Sequence, residues 1–202
     1  MIKALLTSTA AIAISLSASA DSNYFGDGVY VSPTKWQNYH SEDVMTDTVT
    51  HYAAISSLTE PEYSWETPLE IVYTCTTNAD GTGSHGLYFA QKNSFFSVDS
   101  TTAARIRIED QDVKNISGVR IPDKDIDYIF IAGTQNINAF LTDMVRSSSR
   151  GDHESFYLQF PEFLDGQPQL FVTYQAEEAI NQARTECGLP VVTPLGPEVG
   201  IY

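Results

Sequence analysis

The chain has 202 residues, of which 42% are apolar and 11% aromatic, a composition too rich in core-forming side chains for a disordered protein. Its 26 acidic residues outnumber 11 basic ones, and a formal net charge of −15 disfavours binding to nucleic-acid phosphates or anionic lipid surfaces. This length predicts one domain. Solubility is the simplest explanation of the acidic excess, and a cationic partner or a divalent ion is the alternative.

Residues 1–20 have the pattern of a secretory signal peptide: one lysine, a short apolar run and the small-residue sequence Ala18-Ser19-Ala20. The run is too short to span a bilayer, so we expect cleavage after Ala20 and no membrane insertion of the remaining chain. Cleavage leaves 10 basic and 26 acidic residues, a net charge of −16. The short signal is typical of bacteria and predicts a periplasmic or secreted protein.

Residues 21–35 are polar and contain glycine, and we expect them to form a loosely held N-terminal arm. The arm and the residues after it are rich in aromatic side chains, which are enriched at interaction surfaces. Core packing explains these aromatic residues equally well. The candidate surface comprises Tyr24, Phe25, Tyr30, Trp36 and Tyr39.

Period-two alternation indicates a half-buried strand in the segment PLEIVYTC, where Leu69, Ile71 and Cys75 point to one side. Cys75 is therefore expected to face the core. The Gly- and Asp-rich residues 78–86 predict a hairpin connection. Further strands are expected at residues 49–58, 103–109, 127–132, 155–160 and 169–174.

Two segments have the 3.6-residue period of amphipathic helices, at about 134–146 and 174–187. The first places Phe140 and Met144 on its apolar face, and the second ends at Gly188, which is followed by Pro190. The predicted fold class is α+β, with a mostly antiparallel β-sheet or a small sandwich and two helices. The single globular domain is expected to cover 36–188, and 189–202 is expected to be an extended or loosely packed C-terminal tail.

The two cysteines, Cys75 and Cys187, have only one possible pairing within the chain, and an exported protein favours a disulfide. A reactive thiol is the alternative. Cys187 stands at the C-terminal end of a predicted helix, where carbonyl dipoles disfavour a thiolate, and Glu186 precedes it. The position therefore favours a structural disulfide.

No motif in the sequence indicates catalysis or a cofactor. The four histidines lack the spacing of a zinc site, and Ser84 lies beside His85 without the strand-to-helix elbow of a serine hydrolase. We therefore expect a protein that is not an enzyme and has no cofactor. Three alternating acids could share a calcium ion if their segment is extended, although an ordinary solvated loop explains them as well; they are Asp123, Asp125 and Asp127.

Several fragments, in order, resemble the VasI-type accessory proteins associated with type VI secretion. They are Trp36, SEDVMTDTVTHYAAISS, PLEIVYTC, ARIRIED, FIAGTQNINAFLTDM and AINQARTECG, and together they span about residues 36–188. The resemblance implies an exported β-rich domain with one disulfide between the PLEIVYTC strand and the last helix. It does not imply catalysis.

The leading hypothesis from the sequence is an exported, non-enzymatic protein that binds another envelope or secreted protein, with a possible link to secretion. The alternatives are a periplasmic module that binds calcium or a small ligand, and a hydrolase that uses dispersed acidic residues.

Overall fold

The computed structural model describes residues 31–61, 67–92, 101–108, 112–123, 126–131, 133–149, 155–160 and 167–194. These residues form nine strands and two helices, which confirms the α+β class. The elements are β1 (Gln37–Asp43), β2 (Thr48–Ser56), β3 (Glu70–Thr77), β4 (Gly83–Lys92), β5 (Thr101–Ile108), β6 (Lys114–Asp123), β7 (Ile126–Ile131), α1 (Thr134–Ser149), β8 (Ser155–Gln159), β9 (Gln169–Val172) and α2 (Ala176–Glu186). The expected signal peptide and Tyr24, Phe25, Tyr30 and Asp125 lie outside the described residues.

The strands form one nine-stranded sheet in the order β1-β2-β3-β4-β7-β6-β5-β8-β9. Every pair of neighbours is antiparallel. Of the two architectures left open by the sequence, the single sheet is therefore the one observed. Because β7 follows β4 in the sheet, β6 and β5 come next in reverse order, and β8 and β9 extend the sheet beyond β5.

The sheet curls so that its last strand approaches the start of its first. The backbone N–H of Trp36, just before β1, donates to the carbonyl of Tyr174, just after β9, at 3.0 Å. The N–H of Leu58, just after β2, donates to the carbonyl of Leu170 in β9 at 2.8 Å. These bonds satisfy backbone groups that an open sheet edge would leave unpaired.

One face of the sheet, which we call the core face, is covered by both helices. Its central row is a chain of paired residues in which Ile55 faces Ile71, Ile71 faces Phe89, and Phe89 faces Ile129. All four are buried. The ring of Phe89 also meets Phe140 of α1 at a centroid distance of 6.0 Å, so strand and helix share one core.

Both predicted helices are present with slightly different ends. The first continues to Ser149, three residues beyond the predicted end. The second is shorter than predicted because Gln175, immediately before it, has a left-handed backbone with φ 62°. At the other end Gly188 has φ +71°, a conformation that glycine adopts readily, which ends the helix where the sequence predicted.

Strand β6 was not predicted, because its sequence KNISGVRIPD contains residues that disfavour strands. Gly118 has a packing role there. A Cβ atom at this position would stand 2.5 Å from Cγ2 of Ile129 in the neighbouring strand, so a larger residue would displace that side chain. Strand β1 was also missed, since the exposed His40–Asp43 part of it shows no apolar alternation.

The described ends of the domain differ from the expectation of loose packing. In the N-terminal arm Val31 and Ser32 are buried, and the carbonyl of Ser32 accepts from the N–H of Ser56 at 3.1 Å. In the C-terminal tail Val192 is buried, and its N–H and carbonyl both bond the side-chain amide of Asn181. The packed domain therefore includes residues on both sides of 36–188.

Candidate functional site

The turns of two hairpins lie at the same end of the sheet, because β2 pairs with both β1 and β3 in register. They are residues 44–47 between β1 and β2 and residues 78–82 between β3 and β4. The C-terminal end of α2 reaches the same place, where the carbonyl of Cys187 lies beside Gly83. We call residues 42–47, 78–82 and 186–189 together the hairpin end.

The Cys75–Cys187 disulfide fastens α2 to β3 behind this end. It joins residues separated by 112 positions, with a Cα–Cα distance of 6.1 Å, and both cysteines are buried. Cys75 faces the core, as the alternation of PLEIVYTC predicted. The covalent bond therefore ties the last helix to the middle of the four-stranded part that carries both hairpin turns.

Three histidines stand in one row with the disulfide. His40 of β1 faces His51 of β2, His51 faces Cys75 of β3, and Cys75 faces His85 of β4. Residues directly opposite in antiparallel strands share a face, so this row lies on the core face at the border of the hairpin end. The sequence could not place the histidines together, since no two of them have ligand spacing.

Two of the histidines lie close to polar side chains, one of α2 and one of β3. Nδ1 of His51 lies 2.7 Å from a carboxylate oxygen of Glu186, close to the disulfide. His85 contacts the hydroxyl of Tyr73 at 3.5 Å. Partial burial lowers the pKa of His85, and the charge of Arg184 lowers it further, so the neutral ring is favoured.

Arg184 is the centre of a buried polar network. Its side chain is 5% exposed and donates to the Tyr73 hydroxyl, to the Asn138 side chain of α1 and to the carbonyl of Pro190. Burial raises the pKa of Tyr73, while the arginine opposes that shift. The guanidinium therefore joins the sheet, both helices and the tail by its fixed fork of donors.

The most exposed apolar side chains at the hairpin end are in the β1–β2 turn. Val44 is 81% exposed and Met45 is 89% exposed. The turn itself is braced, because the Asp43 carboxylate accepts the Met45 N–H at 2.9 Å and the Asp43 carbonyl accepts the Thr46 N–H at 3.2 Å. The Met45 bond lowers the pKa of Asp43. Two apolar side chains are therefore held in solvent by an ordered turn.

The β3–β4 turn is also ordered by its own side chains. The Asp80 carboxylate accepts the N–H and the hydroxyl of Thr82, at 2.9 Å and 2.6 Å, and these bonds lower the pKa of Asp80. The hairpin predicted for 78–86 is present, although its turn is shorter. The exposed acids of the hairpin end are Glu42, Asp43, Asp47, Asp80 and Glu186.

Two of the acidic positions considered for calcium lie in different strands. Asp123 is the last residue of β6 and pairs with Ile126, whereas Asp127 is in β7 and pairs with Pro122. Asp123 and Asp127 therefore belong to two antiparallel strands, and a calcium site that also uses Asp125 stays a prediction because Asp125 lies outside the described residues. Within the described ranges, no group of three or more His, Cys, Asp or Glu residues could hold a metal ion.

Trp36 belongs to the core and not to an aromatic interaction surface. It is 2% exposed, and its indole N–H donates to the carbonyl of Val172 at 3.1 Å. Tyr39 is half-buried, and its hydroxyl donates to the side chain of Gln37 at 2.9 Å. The sequence indicated Val44 and Met45 only as two apolar residues inside the acidic segment EDVMTD, which alone does not show that they are exposed.

A shallow groove of about 250 Å³ lies at the opposite end of the sheet from the hairpin turns, between the start of β1 and the start of α2. Its walls carry one basic and one acidic side chain, Lys35 and Glu178. The Asn38 side chain on its wall donates to the carbonyl of Ala179 at 2.7 Å, so this polar group joins the strand to the helix.

Comparison of the chain with protein-family models, with curated proteins and with solved structures gives no match. In the part of the chain that the structure describes, no helix has the length and apolar character needed to cross a membrane.

Proposed function

We propose that the protein is an exported, non-enzymatic binding domain that contacts another envelope or secreted protein through its hairpin end. The observation that carries this proposal is the exposure of Val44 and Met45 on a braced turn. An isolated exposed apolar residue needs no explanation, but two adjacent ones on an ordered tip lose favourable burial that a partner would restore.

The order of the turn favours binding. A contact surface that is already fixed loses little conformational entropy when it meets a partner. The bonds of Asp43 fix the β1–β2 turn, those of Asp80 fix the β3–β4 turn, and the Cys75–Cys187 disulfide fixes the helix end beside them. The hairpin end is therefore preorganised in all three of its segments.

The charges around the tip define the chemistry of the partner. Glu42 and Asp47 are exposed and flank the two apolar residues. A complementary surface has an apolar pocket for Val44 and Met45 with basic groups at its rim, which favours encounter with this acidic protein and excludes acidic surfaces. Methionine suits such a pocket because its flexible thioether adapts to irregular shapes.

The polar side chains behind the tip make structural contacts with one another, which agrees with a non-enzymatic role. Arg184 donates to both Tyr73 and Asn138, and Glu186 lies against His51, so these groups join α2 to the sheet and to α1. The signal-like residues 1–20 support export to the periplasm or the medium. The resemblance to VasI-type proteins supports a role near type VI secretion.

The test is co-purification from cell-envelope extracts with two matched double variants of the tagged protein. Val44→Ser with Met45→Ser removes the apolar tip. Val113→Ser with Val191→Ser removes two other exposed valines, which are 54% and 53% exposed and lie outside the hairpin end. We expect the tip variant to recover at least about tenfold less partner, the size of effect typical of an interface hot spot.

The control variant should recover the partner within about twofold of the unsubstituted protein, as expected for residues outside an interface. Melting temperatures of both variants should match the unsubstituted protein, since all four side chains are exposed. Equal partner recovery by the tip variant and the unsubstituted protein would show that the hairpin end is not the contact.

A further inference from the structure

The sheet ends in two edge strands, β1 and β9, and bonds within the fold pair several groups at the β9 edge. The backbone N–H of Leu58 donates to the carbonyl of Leu170 at 2.8 Å. The indole N–H and the backbone N–H of Trp36 donate to the carbonyls of Val172 and Tyr174, at 3.1 Å and 3.0 Å. We call these three bonds the seam. They pair groups in and just after β9 that an open sheet edge would leave free.

Beyond the seam, the backbone of β1 points outward at alternate residues. Along a strand, residues two apart direct their N–H and C=O groups to the same side. The N–H of Trp36 points away from β2 and toward Tyr174. The backbone groups of Asn38, His40 and Glu42 therefore point away from β2 as well.

The bonds of β2 lead to the same assignment. The N–H of Ser57, just after this strand, donates to the carbonyl of Leu69, on the side of β3, at 2.8 Å. The N–H of Ser56 donates to the carbonyl of Ser32, on the opposite side, at 3.1 Å. The even-numbered residues of β2 therefore bond β1, and the register places odd-numbered residues of β1 opposite them. The even-numbered residues of β1 are left facing outward.

The outward edge of β1 is open to another chain. Within the described residues, the backbone groups of His40 and Glu42 have no bond on this side, and both residues are exposed. Such an edge can accept an extended segment, whose own N–H and C=O groups complete the ladder. Pairing with the same edge of a second copy would bring Glu42 and Asp43 of the two copies close together, and like charges disfavour that. The open edge therefore suits a different chain.

Helix α2 forms a wall beside this edge. Glu178, Gln182 and Glu186 are exposed and recur every four residues, so they lie along one side of the helix. Glu178 lines the groove together with Asn38 of β1. Glu186 lies against His51, the neighbour of β1 in the sheet. The side of α2 that carries two carboxylates therefore runs along β1 on the core face.

A strand added to β1 would direct every second side chain toward this wall, because side chains alternate between the two faces of a sheet. Those side chains would meet the carboxylates of Glu178 and Glu186, and also that of Glu42, which shares the core face with His40. Basic residues at alternating positions are therefore favoured. The basic side chain of the groove, Lys35, precedes β1 and lies away from the hairpin end.

We infer that the partner of the hairpin end adds an extended segment to the β1 edge, with basic side chains at every second position of that segment. The inference rests on the proposed function, because it describes how the same partner binds. Val44 and Met45 directly follow β1, so a segment that lies along β1 continues to the tip. In this mode of recognition the backbone bonds supply affinity, and the alternating side chains supply specificity.

The first experiment uses a short peptide of sequence TKTKTKT with blocked termini as the probe. Nuclear magnetic resonance of the isotopically labelled protein follows a titration up to about 1 mM peptide, which detects a Kd near that concentration. We expect the amide signals of residues 38, 40 and 42 to shift. Methylation of the backbone nitrogens of either the lysines or the threonines should abolish these shifts, because only one of the two sets points toward β1. The other methylated peptide should still bind.

Two charge-matched variants test the wall in the same titration. Glu178→Gln should weaken peptide binding by about threefold, because it removes a carboxylate that faces the lysines. Asp112→Asn removes an exposed carboxylate outside the groove and the hairpin end, and it should leave peptide binding unchanged. Equal weakening by both variants would mean that net charge and not the wall attracts the peptide, which contradicts the inference.

The second experiment uses His40→Pro in co-purification from cell-envelope extracts. Proline removes the outward N–H of residue 40 but no bond to β2, and edge strands tolerate proline at such positions. We expect this variant to recover at least about fivefold less partner, the value of one backbone hydrogen bond. The control His40→Ala keeps the N–H and should recover the partner within about twofold. Hydrogen exchange of the amides of residues 50 and 52 shows whether the β1–β2 ladder is intact.

Two results would overturn the inference. One is a peptide titration in which the β1 signals do not shift, or in which both methylated peptides still shift them. The other is full partner recovery by His40→Pro with an intact β1–β2 ladder. If the variant Val44→Ser with Met45→Ser loses the partner in the same extracts, the proposed function stands and only the inference about the β1 edge falls.

Discussion

The two helices cover the same face of the sheet but are held to it differently. Helix α1 buries large side chains, among them Phe140, Leu141 and Met144. Helix α2 buries mainly alanines and one isoleucine. Small side chains allow close approach of helix and sheet but bury little apolar area, and the hydrophobic contribution grows with that area.

The shorter helix compensates with bonds of other kinds. Cys187, directly after its last turn, is covalently joined to Cys75, and Arg184 and Asn181 tie the helix to Tyr73 and to the tail. Helix α1 also has polar ties, among them the buried Asp143, whose carboxylate lies 2.6 Å from Nζ of Lys114. Helix α2, with its face of small residues, is thus held mainly by the disulfide and by polar bonds, which we call fastening. Helix α1, with its face of large residues, is held mainly by apolar packing.

Removal of the disulfide should have the largest effect. The double substitution Cys75→Ala with Cys187→Ala opens a loop of 112 residues. It should lower the free energy of unfolding by about 4 to 5 kcal/mol in the chain-entropy description. Denaturant unfolding of the variant and the unsubstituted protein measures this. If α2 is held by fastening, hydrogen exchange should accelerate in α2 much more than in α1, and equal acceleration in both helices would contradict the comparison.

Truncation in α1 should be the next largest effect. Phe140→Ala removes a fully buried ring that contacts Phe89 and Phe156, and it should cost about 3 to 4 kcal/mol because the surroundings only partly close the cavity. The matched substitution Phe140→Leu keeps most of the volume and should cost less than about 1.5 kcal/mol. Thermal unfolding compares the two, and similar losses for both would show that packing volume is not what holds α1.

Arg184→Met tests the polar fastening of α2. The methionine fills space but leaves the hydroxyl of Tyr73 and the side chain of Asn138 without this donor, at a cost of about 2 kcal/mol. Adding Tyr73→Phe removes one of the stranded groups, so the double variant should lose less stability than the two single losses together. Strict additivity in denaturant unfolding would mean that the two side chains do not act as a unit.

The smallest effect concerns pH and His85. Its pKa is lowered in the folded protein by burial and then by Arg184, so the unfolded chain binds more protons as the pH falls through about 6.5. Above that pH the free energy of unfolding has its full value with respect to His85. As the pH falls from there to the pKa of His85 in the folded protein, the free energy of unfolding decreases. The loss should be well under about 1 kcal/mol because solvent screens the half-buried ring. His85→Gln should flatten this part of the stability profile, and an unchanged slope would contradict it.

Elements with strong periodicity were predictable, and elements defined by distant contacts were not. Strand β3 and both helices follow from alternation and 3.6-residue spacing in PLEIVYTC, NINAFLTDMV and AEEAINQAR. The position of β7 beside β4 depends on pairing between segments far apart in sequence. The sequence does not predict strand β6, because Gly118 and Pro122, both unfavourable to strands, lie inside it.

The candidate site was only partly predictable for the same reason. The Cys75–Cys187 pairing followed from the number of cysteines and the expected compartment. The exposure of Val44 and Met45 depends on where the β1–β2 turn stands relative to the rest of the fold, which local sequence does not encode. The sequence leaves both a surface and a core position open for Trp36. The contact that decides for the core is the bond from its indole N–H to a carbonyl 136 residues away, and local sequence does not reveal it.

That same indole bond sets an order of events during folding. Residue 36 is made long before residue 172, so the start of β1 cannot form this bond until the 136 residues that follow it are available. Contacts of such high sequence separation slow folding, and unpaired strand edges in the meantime are open to wrong pairing. A copy whose β9 has not yet docked therefore exposes the backbone groups that the finished fold pairs at this seam.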